Sequence, residues 1–294
     1  MAALGVEHVG RINTNCYALF RNNPESPEEL VTPKKDTVMK SKYFNASNKM
    51  KFLTHGWMSS DSTEWLQNIK DAYLRRDNHN VITIDWSEIS INPAYPWPAL
   101  STRYVGRRVA ELLGALVRDY NVKGTDMHLI GHSLGAQVMG AGIVPLVLTL
   151  LGLDPARPLF ELPQVTANFR LDRSDAEFVD IIHTSAGVLG YARSHGHADF
   201  YPNSGKPPQP GLTCSLISEA CSHGRSCLFF GESIVSSVGF YAYPCDSNKD
   251  FKSGQCRGNS TLMGDPVSSN SRGDYYLNTH EEAQFARGDD QNND

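Results

Sequence analysis

Between residues 50 and 154, short apolar runs alternate with longer segments in which apolar residues recur every three or four positions. The runs KMKFLTHG, NVITIDW, DMHLIGHS and LTLLGLD predict strands, whereas STEWLQNIKDAYLRR, TRYVGRRVAELLGALVRDY and LGAQVMGAGIV have helical spacing. Strands separated by helices need crossover connections. The pattern therefore predicts an α/β fold with a mainly parallel sheet and helices on both faces. AEFVDIIHTS extends it by one strand. From Ala186 to Gly211 the periodicity gives way to Gly, Pro and Ser-rich loops, and from Arg272 the chain turns polar, so 272–294 reads as a flexible tail. Neither a repeat nor a linker divides the sequence, so 1–294 reads as a single domain.

Composition narrows the partners. A net charge of −5 with 20% charged residues gives no field that would attract nucleic acid. The longest apolar run, Ala141 to Leu153, contains a proline and is shorter than the ~18 residues of a membrane span, so any membrane contact is peripheral. The first residues lack a basic start and an apolar core, and no signal peptide is legible. Four of the six cysteines form close pairs, Cys214 with Cys221 and Cys245 with Cys256, and predict short loop-closing bridges. Cys16 and Cys227 remain as a third candidate pair. No cysteine or histidine spacing fits a metal site, and no cofactor is expected. Sequons at Asn45 and Asn259 agree with secretion.

The stretch HLIGHSLGAQ sets Ser133 between glycines two positions either side, after a strand and at the start of a helix. That is the context of a nucleophile elbow. A serine hydroxyl needs an imidazole to take its proton and a carboxylate to orient the imidazole, in the chain order serine, acid, histidine. Asp154 ends an apolar strand at the sheet edge where parallel sheets carry their sites, although a turn aspartate would look the same. His183, His195, His197, His223 and His280 all follow it. His183 lies within a strand and reads as a core histidine. His223, beside the Cys214 and Cys221 pair, is the preferred base, with the others left open.

FLTHGW, VITIDW, HLIGHSLGAQ, GLDPARPLF, RLDRSDAEFVDIIHTS, GHADFYPNSG and CSHGRS stand in the order and approximate spacing of the pancreatic lipase family. The chain resembles that family, which includes lipoprotein-type lipases and venom phospholipases A1, over roughly residues 15 to 245. The resemblance implies an α/β-hydrolase fold with Ser133 as nucleophile, Asp154 as acid and His223 as base. It also implies an oxyanion hole made by the N–H groups of Trp57 and Leu134. The lid disulfide of the family would join Cys214 and Cys221, which enclose only six residues, a short lid like that of phospholipase A1 members. The family's calcium loop is matched at Arg170, Asp172 and Asp175, but Ala167 stands where a glutamate ligand is common. The family's C-terminal β-sandwich is missing from the sequence, so no colipase-type partner is implied. The expectation is a secreted carboxyl-ester hydrolase at a lipid–water interface, favouring sn-1 phospholipid or galactolipid, then triacylglycerol. The opposing expectation is a lipid-binding, storage or defence protein that keeps the fold with little hydrolysis.

Overall fold

The computed structural model describes residues 17–21, 23–30, 38–141, 147, 149–212, 218–256 and 258–289. Its centre is a run of parallel strands: β3 (Met50–Thr54), β4 (Asn80–Ile84), β5 (Met127–His132), β6 (Thr149–Leu153), β7 (Phe178–Ile182), β8 (Ala198–Pro202) and β11 (Gly273–Leu277). They lie in the order β11-β8-β7-β6-β5-β3-β4. Every residue of β4, β7 and β8 is buried, which is why VITI of β4 and FVDII of β7 read as near-continuous apolar runs and not as alternating ones. Antiparallel strands close both edges. β1 (Tyr17–Arg21) pairs with β4 and with β2 (Asn23–Leu30), while β9 (Phe240–Pro244) joins β11 to β10 (Thr261–Met263).

Helices cover both faces, as the alternation predicts. On one face α3 (Pro96–Tyr120) packs Val105, Val109, Leu112 and Leu116 against Val138 and Met139 of α4 (Leu134–Gly140). A side chain on Gly106 would meet the Ala141 carbonyl at 2.2 Å, so this glycine sets how closely the two helices approach. On the other face Leu66, Ile69 and Tyr73 of α1 (Glu64–Arg76) share a core with Phe229, Phe230 and Ile234 of α5 (Ser218–Val235). Two short helices, α2 (Ser87–Ser90) and α6 (Asn248–Lys252), lie in connections.

Three expectations change. The segment that reads as a polar tail from Arg272 contains β11, paired with β8, and Phe285 and Ala286 are buried in the core beyond it. Cys227 is a buried free thiol and not half of a third bridge; Cys16 lies outside the described residues. The stretch from Ala186 to Gly211, which reads as loops, contains β8, paired with β7 and buried throughout, while His223 lies within α5. Cys245 and Cys256 are bonded as expected. Cys221 is also disulfide-bonded, and its expected partner Cys214, with residues 215–217 of the lid interval, lies outside the described residues.

Beneath the sheet's other end, Asp265 takes hydrogen bonds from Lys51 (3.0 Å), Tyr73 and Arg76. Burial opposes its ionisation, but Lys51, His128 and the hydrogen-bond donors outweigh burial and hold its carboxyl well below the usual range. A depressed carboxyl contributes stability above its unfolded pKa of about 4, lost as pH falls toward the folded value. Asp265→Asn would leave Lys51 buried without its counter-charge and is expected to cost about 3–5 kcal/mol at neutral pH. Urea unfolding of both proteins checks this: the gap should narrow below about pH 4, and equal stability at pH 7 would refute it.

Candidate active site

The loops that follow β3, β5, β6 and β7, with the first turns of α5, bring the expected residues together at the C-terminal edge of the parallel strands. Ser133 follows β5 with φ 57° and ψ −120°, a conformation that side-chain-bearing residues rarely adopt. The flanking glycines make this turn feasible. A Cβ on Gly131 would lie 2.4 Å from the Gly135 carbonyl oxygen, and one on Gly135 would lie 2.5 Å from that of His55. No other residue fits either position.

Asp154 follows β6, also at positive φ (43°), and is fully buried. Its Oδ1 accepts the N–H groups of Thr184 (2.8 Å) and Ser185 (3.1 Å), and its Oδ2 lies 2.5 Å from His223 Nδ1. Three donors compensate a desolvated carboxylate, and the contact with the imidazole is of the short, charge-assisted kind. Gly190 lies against the carboxylate so tightly that a Cβ there would fall 2.3 Å from Oδ1. With Nδ1 engaged, His223 Nε2 is the nitrogen left to meet a nucleophile. Among the described residues the Ser133 hydroxyl has no hydrogen-bond partner, a looseness common in the absence of substrate.

The other histidines are accounted for elsewhere. His183 is fully buried with Nε2 2.8 Å from Asp199 Oδ1, and Asp199 raises its pKa against the opposing effect of burial. His195 faces Glu161 at 3.2 Å, and His197 accepts the Val179 N–H at 3.0 Å. His280 is exposed. None of these contacts involves Asp154.

One neighbour was not singled out by the sequence pattern. The His132 ring lies 4.6 Å from that of His223, and its Nε2 donates to the His223 carbonyl at 3.2 Å. Burial first, and then His223, push its pKa well down, so it stays neutral and adds no second cation beside His223. Its position next to the serine in the G-H-S motif was the available signal.

Trp57 follows β3. Gly56 is packed against the elbow, where a Cβ would approach Ser133 Cβ to 2.8 Å and the Leu134 nitrogen to 3.4 Å. Neither the Trp57 nor the Leu134 N–H donates to another group among the described residues. The loop is held by Met58 N–H to Ser90 O (2.9 Å), by Trp57 Nε1 to Asn92 O (2.8 Å), and by the pairing of His55 with Asp85 at 2.8 Å.

The calcium-loop residues form a different structure. Asp172 pairs with Arg170 at 3.1 Å and accepts from Ser174, while Asp175 accepts the Asp172 N–H at 2.8 Å in a capping box. Burial pushes the Asp175 carboxyl up to about 7. With Ala167 offering no carboxylate, both Asp172 oxygens held by Ser174 and Arg170 and Asp175 Oδ2 held by a backbone N–H, the group falls short of the roughly six to eight oxygens that calcium takes.

Comparison with known proteins gives the same family by an independent route. The family model described as Lipase matches residues 7–285. Inactive pancreatic lipase-related protein 1 of Mus musculus is 34% identical over 94% of this chain and 64% of its own length. Pancreatic lipase-related protein 2 of Cavia porcellus is 34% identical over 84% and 57%, and pancreatic triacylglycerol lipase of Equus caballus 32% over 94% and 66%. The chain thus spans about two thirds or less of these relatives. A solved esterase of Pyrococcus furiosus covers 49% of this chain and 65% of its own at 17% identity and a TM-score of 0.34, too slight a likeness to add to the topology. By its sequence, from the strand before Trp57 to the helix of His223, the chain belongs to the lipase family.

Proposed function

We propose that this chain hydrolyses carboxyl esters of glycerolipids through Ser133, His223 and Asp154. The observation that carries the reading is the 2.5 Å contact of His223 Nδ1 with a buried Asp154, beside a serine held on a strained elbow. Asp154 fixes the Nδ1–H tautomer, so Nε2 takes the Ser133 proton as the hydroxyl attacks the ester carbonyl. The oxyanion forms toward the N–H groups of Trp57 and Leu134, each such donor contributing about 3 kcal/mol in the transition state. His223 then protonates the leaving alcohol. Water, deprotonated by the same imidazole, resolves the acyl-enzyme.

Among glycerolipids the reading favours phospholipid or galactolipid at sn-1, with triacylglycerol next, because six residues between Cys214 and Cys221 cannot build a long amphipathic cover. The disulfide between Cys245 and Cys256 supports an extracellular setting. A second reading, a lipid-binding protein with little turnover, is favoured by one finding: some relatives of equal similarity are named as inactive. Initial rates on matched phosphatidylcholine and triacylglycerol emulsions, with phosphonate labelling of the nucleophile, separate them. The expected result is sn-1 release from phosphatidylcholine and a label on Ser133. Faster triacylglycerol release would remove the lid argument, and a folded protein that neither turns over nor takes the label would favour the binding reading.

A further inference from the structure

Residues 89–102 carry no charged side chain, yet Ile91, Trp97 and Leu100 are 55%, 48% and 63% exposed. Trp97 and Leu100 lie one turn apart at the start of α3 and so share a face. A helix start normally presents orphan N–H groups that oppose entry into an apolar medium. Here they are largely absent or satisfied. Pro93, Pro96 and Pro98 have no N–H, Trp97 donates to Ala94 O (2.9 Å), Ala99 to Tyr95 O (3.1 Å), and Ala94 to Asn92 Oδ1 (2.9 Å). The Ser101 and Thr102 hydroxyls turn back onto the Trp97 and Ala99 carbonyls. Among the described residues, Tyr95 keeps the one backbone donor from Ile91 to Ala99 without an acceptor.

Farther along the same helix stand Arg103 and Arg107, neither with a carboxylate partner among the described residues. Arg103 lies 3.8 Å over the Phe169 ring, whereas Arg108 is paired with Glu111. Glu88 on α2 is the exposed acid preceding the uncharged stretch. The tip is fastened to the site: Tyr95 meets the Trp57 ring edge-on at 5.1 Å, and its hydroxyl donates to Pro158 O at 3.0 Å, beyond Asp154.

We propose that the Ile91–Leu100 tip of α3 enters an anionic phospholipid surface, with Arg103 and Arg107 lying on the phosphates. As a route to substrate this rests on the glycerolipid reading above; as a binding event it does not. An aromatic and aliphatic tip with a basic belt behind it is the composition of an interfacial segment. A backbone with all but one of its donors met suits hydrocarbon, and two guanidinium groups without a carboxylate partner among the described residues suit anions. Charge complementarity therefore selects the lipid surface over a second copy of the chain.

The test uses the Ser133→Ala chain, so that lipid is not consumed, sedimented with vesicles of phosphatidylcholine alone or mixed with phosphatidylglycerol. Binding should favour the mixed vesicles by about thirtyfold, since Arg103 and Arg107 both gain the attraction of the anionic surface. Trp97→Ser with Leu100→Ser should lower binding to both vesicles on the order of tenfold. Arg103→Gln with Arg107→Gln should abolish the preference for phosphatidylglycerol. With Ser133 restored, both pairs should hydrolyse a soluble short-chain ester at the parent rate. Undiminished vesicle binding by the serine pair, or none by the parent, would overturn the proposal. So would a concentration-dependent dimer in light scattering that the serine pair abolishes, which assigns the face to a second copy. Vesicle binding as expected without any ester hydrolysis would support docking and sink the hydrolase reading alone.

Discussion

On the proposed mechanism His223→Ala is expected to lower turnover of a soluble ester by about a million-fold, because the serine then has no base and the residual rate comes from binding and the oxyanion donors. The fold should tolerate the change. His223 is only partly buried, stands in a helix where alanine is favourable, and contributes one hydrogen bond through its ring. Single-turnover kinetics with a chromogenic ester, beside a thermal melt, read both effects. A loss of less than a hundredfold would assign the base role elsewhere, and His132, 4.6 Å away, is the first group to examine.

Asp154→Asn is expected to cost about 10⁴ in turnover while leaving the melting temperature close to that of the parent. An asparagine Oδ1 can still accept from Thr184 and Ser185, so the buried position keeps its two backbone donors. The amide N–H₂ then replaces the oxygen facing His223 Nδ1. It can only donate, so Nδ1 must accept, and the ring proton moves to Nε2. A protonated Nε2 cannot receive the serine proton. Steady-state rates of the purified variant check this, and near-normal turnover would mean that another carboxylate orients the ring.

These expectations draw on a site whose parts differed in legibility. The strands β3 to β7 could be read because both faces are covered, which leaves unbroken apolar runs such as VITI and FVDII. Ser133 and Asp154 end two of those runs, so periodicity together with the G-H-S-L-G motif made the serine legible and the aspartate a candidate. His223 could not be found that way: its segment SEACSHGRS is polar and begins a helix whose buried half comes later, at Phe229 and Phe230. Its place beside a cysteine pair made it a preference among five histidines, and the resemblance singled it out. The segment GDYYL was misread because its tyrosines look like polar-tail residues, whereas Tyr275 stacks on Phe200 and Tyr276 on Tyr201 across the strand pair. That pairing joins residues more than seventy positions apart, which no local pattern reports.

Ser133 and Asp154 both sit at positive φ, where a Cβ is costly, by about 1–3 kcal/mol each. Glycine would relieve that strain at either position and remove the side chain that the chemistry uses. Natural drift or laboratory selection that rewards only heat resistance therefore meets a downhill route to an inert scaffold. On the proposed mechanism, a lineage that keeps its serine and aspartate here accepts that strain for the product of the reaction.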